Sequence, residues 1–301
     1  MDFPSDYWST HEHTVASLPE MIEAVRRISA YEQTTGSQFV WRGVANANHP
    51  LYSSIVRHYK GIYGAVPTER QLRAFERVVF SEAQAWTLDW HREGGRLTAL
   101  ELLAVQHHGI PTRLLDFTLN PLFALWFATE KHDDRPGRVF AIDISDRLTK
   151  REAANQPEPW WWKEPDNATS EWTARSWIWR PPPFEARIVR QSGVFLVGGV
   201  PTTTPIRTVR AVNGRRPLKV DEVRASMSLP FQLINYRQAE AAYDGKSLAG
   251  YPPKVRAFTL RVEGKTAIRG ELERAFDLSH KTLFPDFPGM ADYGNSFRKG
   301  S

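Results

Sequence analysis

The sequence predicts a mixed α+β domain with a helical N-terminal part. Three observations carry that reading. Segments of helical period alternate with short β-branched or alternating segments, without an internal repeat. In 301 residues, 41% are hydrophobic and 24% charged, which suits a folded chain with a sizeable core. No low-complexity tract or linker interrupts residues 1–301, so they read as one domain with a core over about 20–295.

Ser17 to Ile28 reads as a helix. Ser17 suits the N-cap, Pro19 suits the first turn, and Leu18, Met21, Ile22, Val25 and Ile28 fall on one face. Gln38 to Val44 is apolar and β-branched enough for a strand, with a turn at Asn46 to Pro50. Pro67 to Trp90 reads as a long helix with a stripe of Leu72, Phe75, Val78, Val79, Ala83 and Trp86. Thr98 opens another helix, with Glu101 completing a capping box and Gly109 ending it. Thr112 to Phe117 reads as a short strand, and Asn120 to Glu130, apolar nearly all round, as a buried helix. Gly137 to Ile144 follows as a strand. Residues 145–185 lose regularity in a Trp- and Pro-rich insertion loop, and a loop of that length is more often functional than idle. Arg187 to Gly198 reads as a strand, with a second reaching about Arg210. Val255 to Val262 is a strand and Thr266 to Phe276 a helix with Ile268, Leu272 and Phe276 inward.

Composition bounds the function. The longest apolar run, Pro121 to Ala128, falls well short of the ~20 residues of a membrane helix. The N-terminus lacks a basic segment followed by an apolar one, and there are no cysteines, so no disulfide, thiolate metal site or cysteine nucleophile is available. A cytoplasmic protein without a membrane partner is expected. The formal charge is +5, and 29 of the 39 basic residues are Arg. With 11 Trp, polyphosphate or nucleic-acid contact is as good an account as a merely soluble basic surface.

Several tempting motifs fail. Gly264-Lys265-Thr266 follows a strand and opens a helix, but Thr259 occupies the place of the earlier P-loop glycine. Gly245 to Gly250 has the wrong spacing for a nucleophile elbow. His11 with His13, and His107 with His108, lack i, i+4 spacing, so no metal site is expected. Three groupings survive. Trp41-Arg42-Gly43 ends a strand, where a forked cation and a close backbone suit a phosphate. Gln106, His107, Thr112, Arg113, Asp116, Thr118 and Asn120 crowd a helix end, a strand and the start of a buried helix, a natural place for an anion. Plainer roles compete: an N-cap for Asn120, an ion pair for Arg113 and Asp116, a helix-end cation for His107. Arg187 and Gln191, four apart, share a strand face in this reading, with Gly193 beyond them.

These residues also carry a resemblance. Trp41-Arg42-Gly43, the block from Gln106 to Ala128, the segment RIVRQSGVF from Arg187 to Phe195, and the C-terminal block containing Leu283-Phe284-Pro285-Asp286 resemble the FRG family of bacteria and phages. The order is similar, more distantly, to ADP-ribosyltransferases. There an Arg-Gly ends the first strand, a polar strand runs into a helix, and a later strand carries a catalytic Glu. That resemblance implies an ADP-ribosyltransferase-like fold of split mixed or antiparallel sheets, with NAD as substrate and no metal. It implies that Arg42 holds the NAD pyrophosphate, that Asp116 and Thr118 position the nicotinamide ribose, and that Gln191 sits near the acceptor. Gly43, Gln106, His107, Thr112, Arg113, Asn120 and Arg187 would complete the NAD site. Catalysis would position NAD and stabilise an oxocarbenium-like state as nicotinamide leaves. The expected Glu is missing from Gln191-Ser192-Gly193, although Glu185 and Glu130 stand nearby in sequence. Two functions follow. One is an NAD-dependent ADP-ribosyltransferase of toxin or phage-defence type, acting on DNA, RNA or protein, with an antitoxin or immunity partner. The other is a non-catalytic nucleotide or nucleic-acid binding sensor. The Trp-rich loop over 160–179 would favour nucleic acid, because bases stack on exposed rings.

Overall fold

A computed structural model describes residues 8, 11–86, 91, 92, 95, 96, 98–106, 109–145, 154–183, 186–203, 209–211, 214–216, 219–246, 248, 256–285, 289–291 and 294. Its centre is a mixed sheet. Strands β1 (His13–Val15), β2 (Phe39–Val44), β3 (Leu115–Thr118), β4 (Gly137–Asp143), β5 (Ser176–Trp179), β6 (Gly193–Gly198), β7 (Gln232–Leu233) and β8 (Arg256–Val262) belong to it. Their order is β1-β8-β4-β2-β3-β6-β5, and β7 also borders β8. β1 and β7 run parallel to β8; every other pairing is antiparallel.

The expected split into two sheets is not seen among the described residues, since one ladder runs from β1 to β5. The ladder narrows, however, between β2 and β3. β2 shares six residue pairs with β4 but only Trp41↔Thr118 with β3. Past Trp41, the β3 side of β2 is therefore free of strand pairing, and Arg42 lies at that opening.

Helix α1 (Leu18–Thr35) starts where its cap predicts. Ser17 Oγ accepts from the Glu20 amide at 3.4 Å, and Glu20 returns a bond from the Ala16 amide at 2.7 Å. Gly36, at φ 70°, ends it. Ile22, expected inward, is 41% exposed. Helix α2 (Ser54–Tyr63) was not anticipated by the reading above, although Ile55, Val56 and Tyr59 are buried at helical spacing. Helix α3 (Glu69–Trp86) matches its expected start, while residues 87–90 lie outside the described part. Its inner face holds Leu72, Phe80 and Ala83 together with Glu69, Arg73 and Glu76, and Val78 points outward at 61% exposure. The Thr98/Glu101 box opens α4 (Ala99–Gln106), with both reciprocal bonds formed.

Helix α5 (Pro121–Thr129) crosses β2. Asn120 caps it by accepting from the Leu122 amide at 2.9 Å. Its close approach requires glycine on the sheet: a Cβ on Gly43 would lie 1.8 Å from the Ala124 carbonyl oxygen, and one on Gly137 2.2 Å from that of Ala128. Strand alternation then separates two cores. Phe39, Trp41, Phe258 and Leu260 face α1 and α5, whereas Val40, Phe140 and Ile142 face Met227 and Phe231.

Two expectations are corrected in the third quarter of the chain. The described part of the supposed loop contains a 3-10 turn (Trp160–Lys163), helix α6 (Glu171–Ala174) and β5, the edge strand of the sheet. The strand expected from Arg187 begins only at Gly193, because Ala186–Arg190 forms helix α7. Ser192, at φ 48°, turns the chain between them, and Gly193 lies against the backbone of Ile188. Later elements are α8 (Val220–Ser226), α9 (Arg237–Tyr243), α10 (Lys265–Phe276) and α11 (His280–Leu283). Among the described residues, no helix is long and apolar enough to cross a membrane.

Candidate functional site

A cleft of about 240 Å³ opens beside the β2–β3 junction, lined among others by Trp41, Arg42, Asp116, Phe127, Arg187, Gln191 and Phe284. Arg42 Nη1 donates to the Asp116 carbonyl oxygen at 2.5 Å and lies 3.6 Å from that residue's carboxylate. The Arg42 side chain is 19% exposed, while the Asp116 side chain is 50% exposed. Arg42 Nε is buried and has no hydrogen-bond partner among the described residues. Burial lowers the guanidinium's hold on its proton, and Asp116 opposes that shift. A buried donor without a partner is costly, so the fold leaves Arg42 incompletely satisfied at the wall of the cleft. Arg187, buried on α7, lays its guanidinium carbon 4.8 Å from the centre of the Phe284 ring. Two guanidinium groups, one half-exposed carboxylate and aromatic walls fit an anionic ligand that carries a flat ring.

The other residues named from the sequence divide sharply. Gln191 lines the cleft, but its Nε2 donates to the Leu283 carbonyl at 2.9 Å. Thr118 Oγ1 donates to the Gln191 carbonyl at 2.6 Å and accepts from the Asn120 amide at 3.0 Å. Their polar groups thus tie β3, α7 and α11 together, while both residues also line the cleft. Gly43 lines the cleft edge, yet its lack of a side chain is explained by the passage of α5. Asn120 is the N-cap, as its plainer reading held. Thr112 is buried, and its amide and carbonyl bond to Ser54 Oγ, fixing the start of α2. Gln106 ends α4, while His107 lies outside the described residues.

Arg113 is corrected most clearly. It is fully buried away from the cleft, in an ion cluster with Glu69 at 2.9 Å and Glu76 at 3.1 Å. Glu69 also holds Arg73 at 2.7 Å and accepts from Trp172 and the Val200 amide, both at 2.7 Å. Burial alone would raise the Glu69 pKa. Arg113, the Val200 amide, the Trp172 indole and Arg73 outweigh it and hold the carboxyl below its ordinary range. Glu76 accepts from the indoles of Trp161 and Trp162. The Trp-rich segment is accordingly core rather than an open stacking platform: Trp161 and Trp172 stack at 5.3 Å, both buried.

The cleft also draws on residues the sequence reading did not assign. Phe284 belongs to the C-terminal block quoted above, but nothing local shows that the block folds back onto α7. Arg57 of α2 lines a separate groove instead: its Nη1 donates to the Tyr52 carbonyl at 2.6 Å, and burial, then Arg42, lowers its pKa, with Asp116 opposing. Glu130, a possible replacement carboxylate, instead faces Lys131 at 3.3 Å and His280 at 3.8 Å, and Glu185 lies outside the described residues.

Neither a curated protein nor a solved structure matches the chain. One stretch does have a family counterpart. It begins just before β2 and ends just before β4, so it holds Arg42, Gly43, Asp116, Thr118 and α5, while Arg187, Gln191 and Phe284 lie beyond it. Over that stretch, residues 37–136, the chain matches the FRG domain.

Proposed function

We propose that the cleft binds NAD as substrate and that the protein is an ADP-ribosyltransferase-like effector of toxin or phage-defence type. The observation that carries this reading is Arg42: a guanidinium 19% exposed at the wall of an open cleft, with one nitrogen on a backbone carbonyl and a buried Nε that has no partner among the described residues. With Nη1 held by the Asp116 carbonyl, the part of the Arg42 side chain that lines the cleft is placed to meet a pyrophosphate oxygen. About 240 Å³ is just below the ~300 Å³ at which small-molecule pockets begin. The enclosed part therefore suits the nicotinamide-ribose end, with the adenylate end lying at the mouth.

In this reading Phe127 and Phe284 exclude water around the nicotinamide. The Asp116 carboxylate stabilises positive charge at the ribose C1′ as the C1′–N bond breaks and its electron pair leaves with neutral nicotinamide. The acceptor nucleophile then bonds C1′ and loses its proton. The distant resemblance to transferases supports this sequence of events. The bracing roles of Thr118 and Gln191 favour a second reading, in which the cleft binds a nucleotide without turning it over. Nicotinamide release and NAD binding, measured side by side on wild type and Arg42→Ala, test both. Release that needs Arg42 supports the transferase. Arg42-dependent binding without release, with DNA, RNA or lysate protein present, supports the sensor. Binding and release that ignore Arg42 overturn both.

A further inference from the structure

We propose that the groove between α2 and residues 109–111 holds the backbone of a single-stranded nucleic acid and presents it to the Arg42 cleft as the acceptor. The acceptor role rests on the transferase reading; the binding itself does not.

The groove encloses about 580 Å³ and is lined by Arg57, His58, Gly61 and Ile62 on α2 and by Gly109 to Pro111 opposite. It is preformed. The Ile55 amide and Ser54 Oγ both donate to the Thr112 carbonyl at 3.1 Å, and the Thr112 amide donates to Ser54 Oγ at 2.9 Å, clamping helix to segment. Three residues on from Thr112 that segment becomes β3, which carries Asp116 of the cleft. Pro111 of the groove and Asp116 of the cleft are thus five residues apart on one continuous stretch of chain.

Its chemistry suits a polyanion. Arg57 and His58 line it and are exposed, Lys60 is exposed on the same helix just outside the lining, and α2 contains no acidic residue. Ile62, on the lining, is 55% exposed and gives apolar surface for bases. The groove is wide-mouthed, unlike the pockets that bury most of a small ligand, so a chain passing along it fits better than an enclosed molecule. Ten residues of helix span about 15 Å, the length of about four stacked nucleotides.

Gly61 supplies an independent observation. Glycine inside a helix weakens it, and here nothing in the fold requires one: a Cβ at Gly61 would meet no atom within 4 Å. A bare backbone at a groove lining is what close approach of a ligand requires.

The test is fluorescence anisotropy with labelled ten-nucleotide oligo-dT and oligo-U, and a ten-base-pair duplex, at two salt concentrations and without NAD. Wild type is expected to bind a single strand, DNA or RNA, more tightly than duplex. Arg57→Glu with Lys60→Glu should weaken binding at least tenfold and flatten the log–log salt slope by about 1.4, at ~0.7 per lost phosphate contact. Gly61→Ala should keep or raise Tm and still weaken binding several-fold. Absent single-strand binding, preference for duplex, or affinity unchanged in both variants overturns the proposal. So does loss of NAD binding in Arg57→Glu without oligonucleotide binding by wild type, which would give the groove to the adenylate end. Oligonucleotide binding that survives while nicotinamide release fails leaves the groove intact and removes only the transferase reading.

Discussion

Arg113→Met is the perturbation that best separates scaffold from site. Arg113, Glu69 and Glu76 have side chains 1–2% exposed, and with Arg73 they make a balanced set of two cations and two anions. Removing Arg113 does not affect the two carboxylates equally. Glu69 keeps Arg73, the Trp172 indole and the Val200 amide. Among the described residues, Glu76 loses its guanidinium contacts, at 3.1 to 3.3 Å, and keeps the neutral indoles of Trp161 and Trp162. Stripping one partner from a buried ion pair costs ~3–5 kcal/mol, because the charge left behind stays desolvated. With a urea m-value of about 3 kcal/mol/M, a 4 kcal/mol loss moves the unfolding midpoint down by about 1.3 M. Adding Glu76→Gln restores neutrality, so the double variant should regain about half of that loss, whereas Glu69→Gln added to Arg113→Met should regain less. Urea unfolding followed by tryptophan fluorescence reads all three. A shift under about 0.3 M for Arg113→Met, or a double variant weaker than the single, refutes the charge balance argued here. NAD binding by folded Arg113→Met should match wild type; selective loss of binding would restore the ligand role that the sequence suggested.

Other outcomes follow from the same geometry. Gly43→Ala forces a Cβ against the α5 backbone, so a loss at or above ~3 kcal/mol and poor soluble yield are expected, read by the thermal midpoint. Asn120→Ala removes the α5 cap and should cost ~1 kcal/mol in urea unfolding with the cleft otherwise intact. The folded-state pKa of Glu69 lies below its unfolded value, so its stabilisation is complete above the ordinary carboxylate range and is lost as pH falls through the folded value. Urea midpoints taken from pH 6 to 3 should therefore fall less steeply in Glu69→Gln than in wild type. Arg42→Lys keeps a cation but has a single nitrogen to divide between Asp116 and a ligand, and burial depresses a lysine more readily than an arginine. Its anion binding should be weak and should fade from pH 7 to 9, where wild type is flat; phosphate or NAD titrations at the two pH values decide it.

What could be read from the sequence was local. Ser17, the Thr98/Glu101 box and Asn120 announce helix starts because a cap needs only three or four neighbouring residues. β2, β4 and β8 are mostly apolar, interrupted by Arg42, Arg138, Thr259 and Arg261, because both faces of the sheet are covered. β1 and β7 are three and two residues long and exist only because β8 offers a free edge, which no local pattern encodes. Arg113 shows the same limit in chemistry. A guanidinium beside a polar strand serves a phosphate or a buried carboxylate equally well, and the choice lies with Glu69 and Glu76, on a helix far upstream. Their spacing with Arg73 along the Leu72 face of α3 was the available signal, but charges in a helical stripe normally mark the solvent side.

The aromatic-Arg-Gly run repays reading as three separate jobs. Trp41 is buried under α5, and its pairing with Thr118 is the last link between β2 and β3. Gly43 faces the α5 backbone and lets that helix settle on the sheet. Arg42 lies between them, on the opposite face by alternation, and reaches the Asp116 carbonyl of β3, where the pairing of β2 with β3 stops. The two flanking residues thus fix the position of a buried cation that the fold itself does not fully satisfy. A purely structural arginine in this place would be expected to resemble Arg113, with its donors spent on carboxylates. Arg42 instead spends one nitrogen on a carbonyl and stands at long range from a half-exposed carboxylate. The difference between these two arginines, about 70 residues apart in one chain, is the strongest physical reason to assign ligand binding to the cleft rather than to the polar crowd around Arg113.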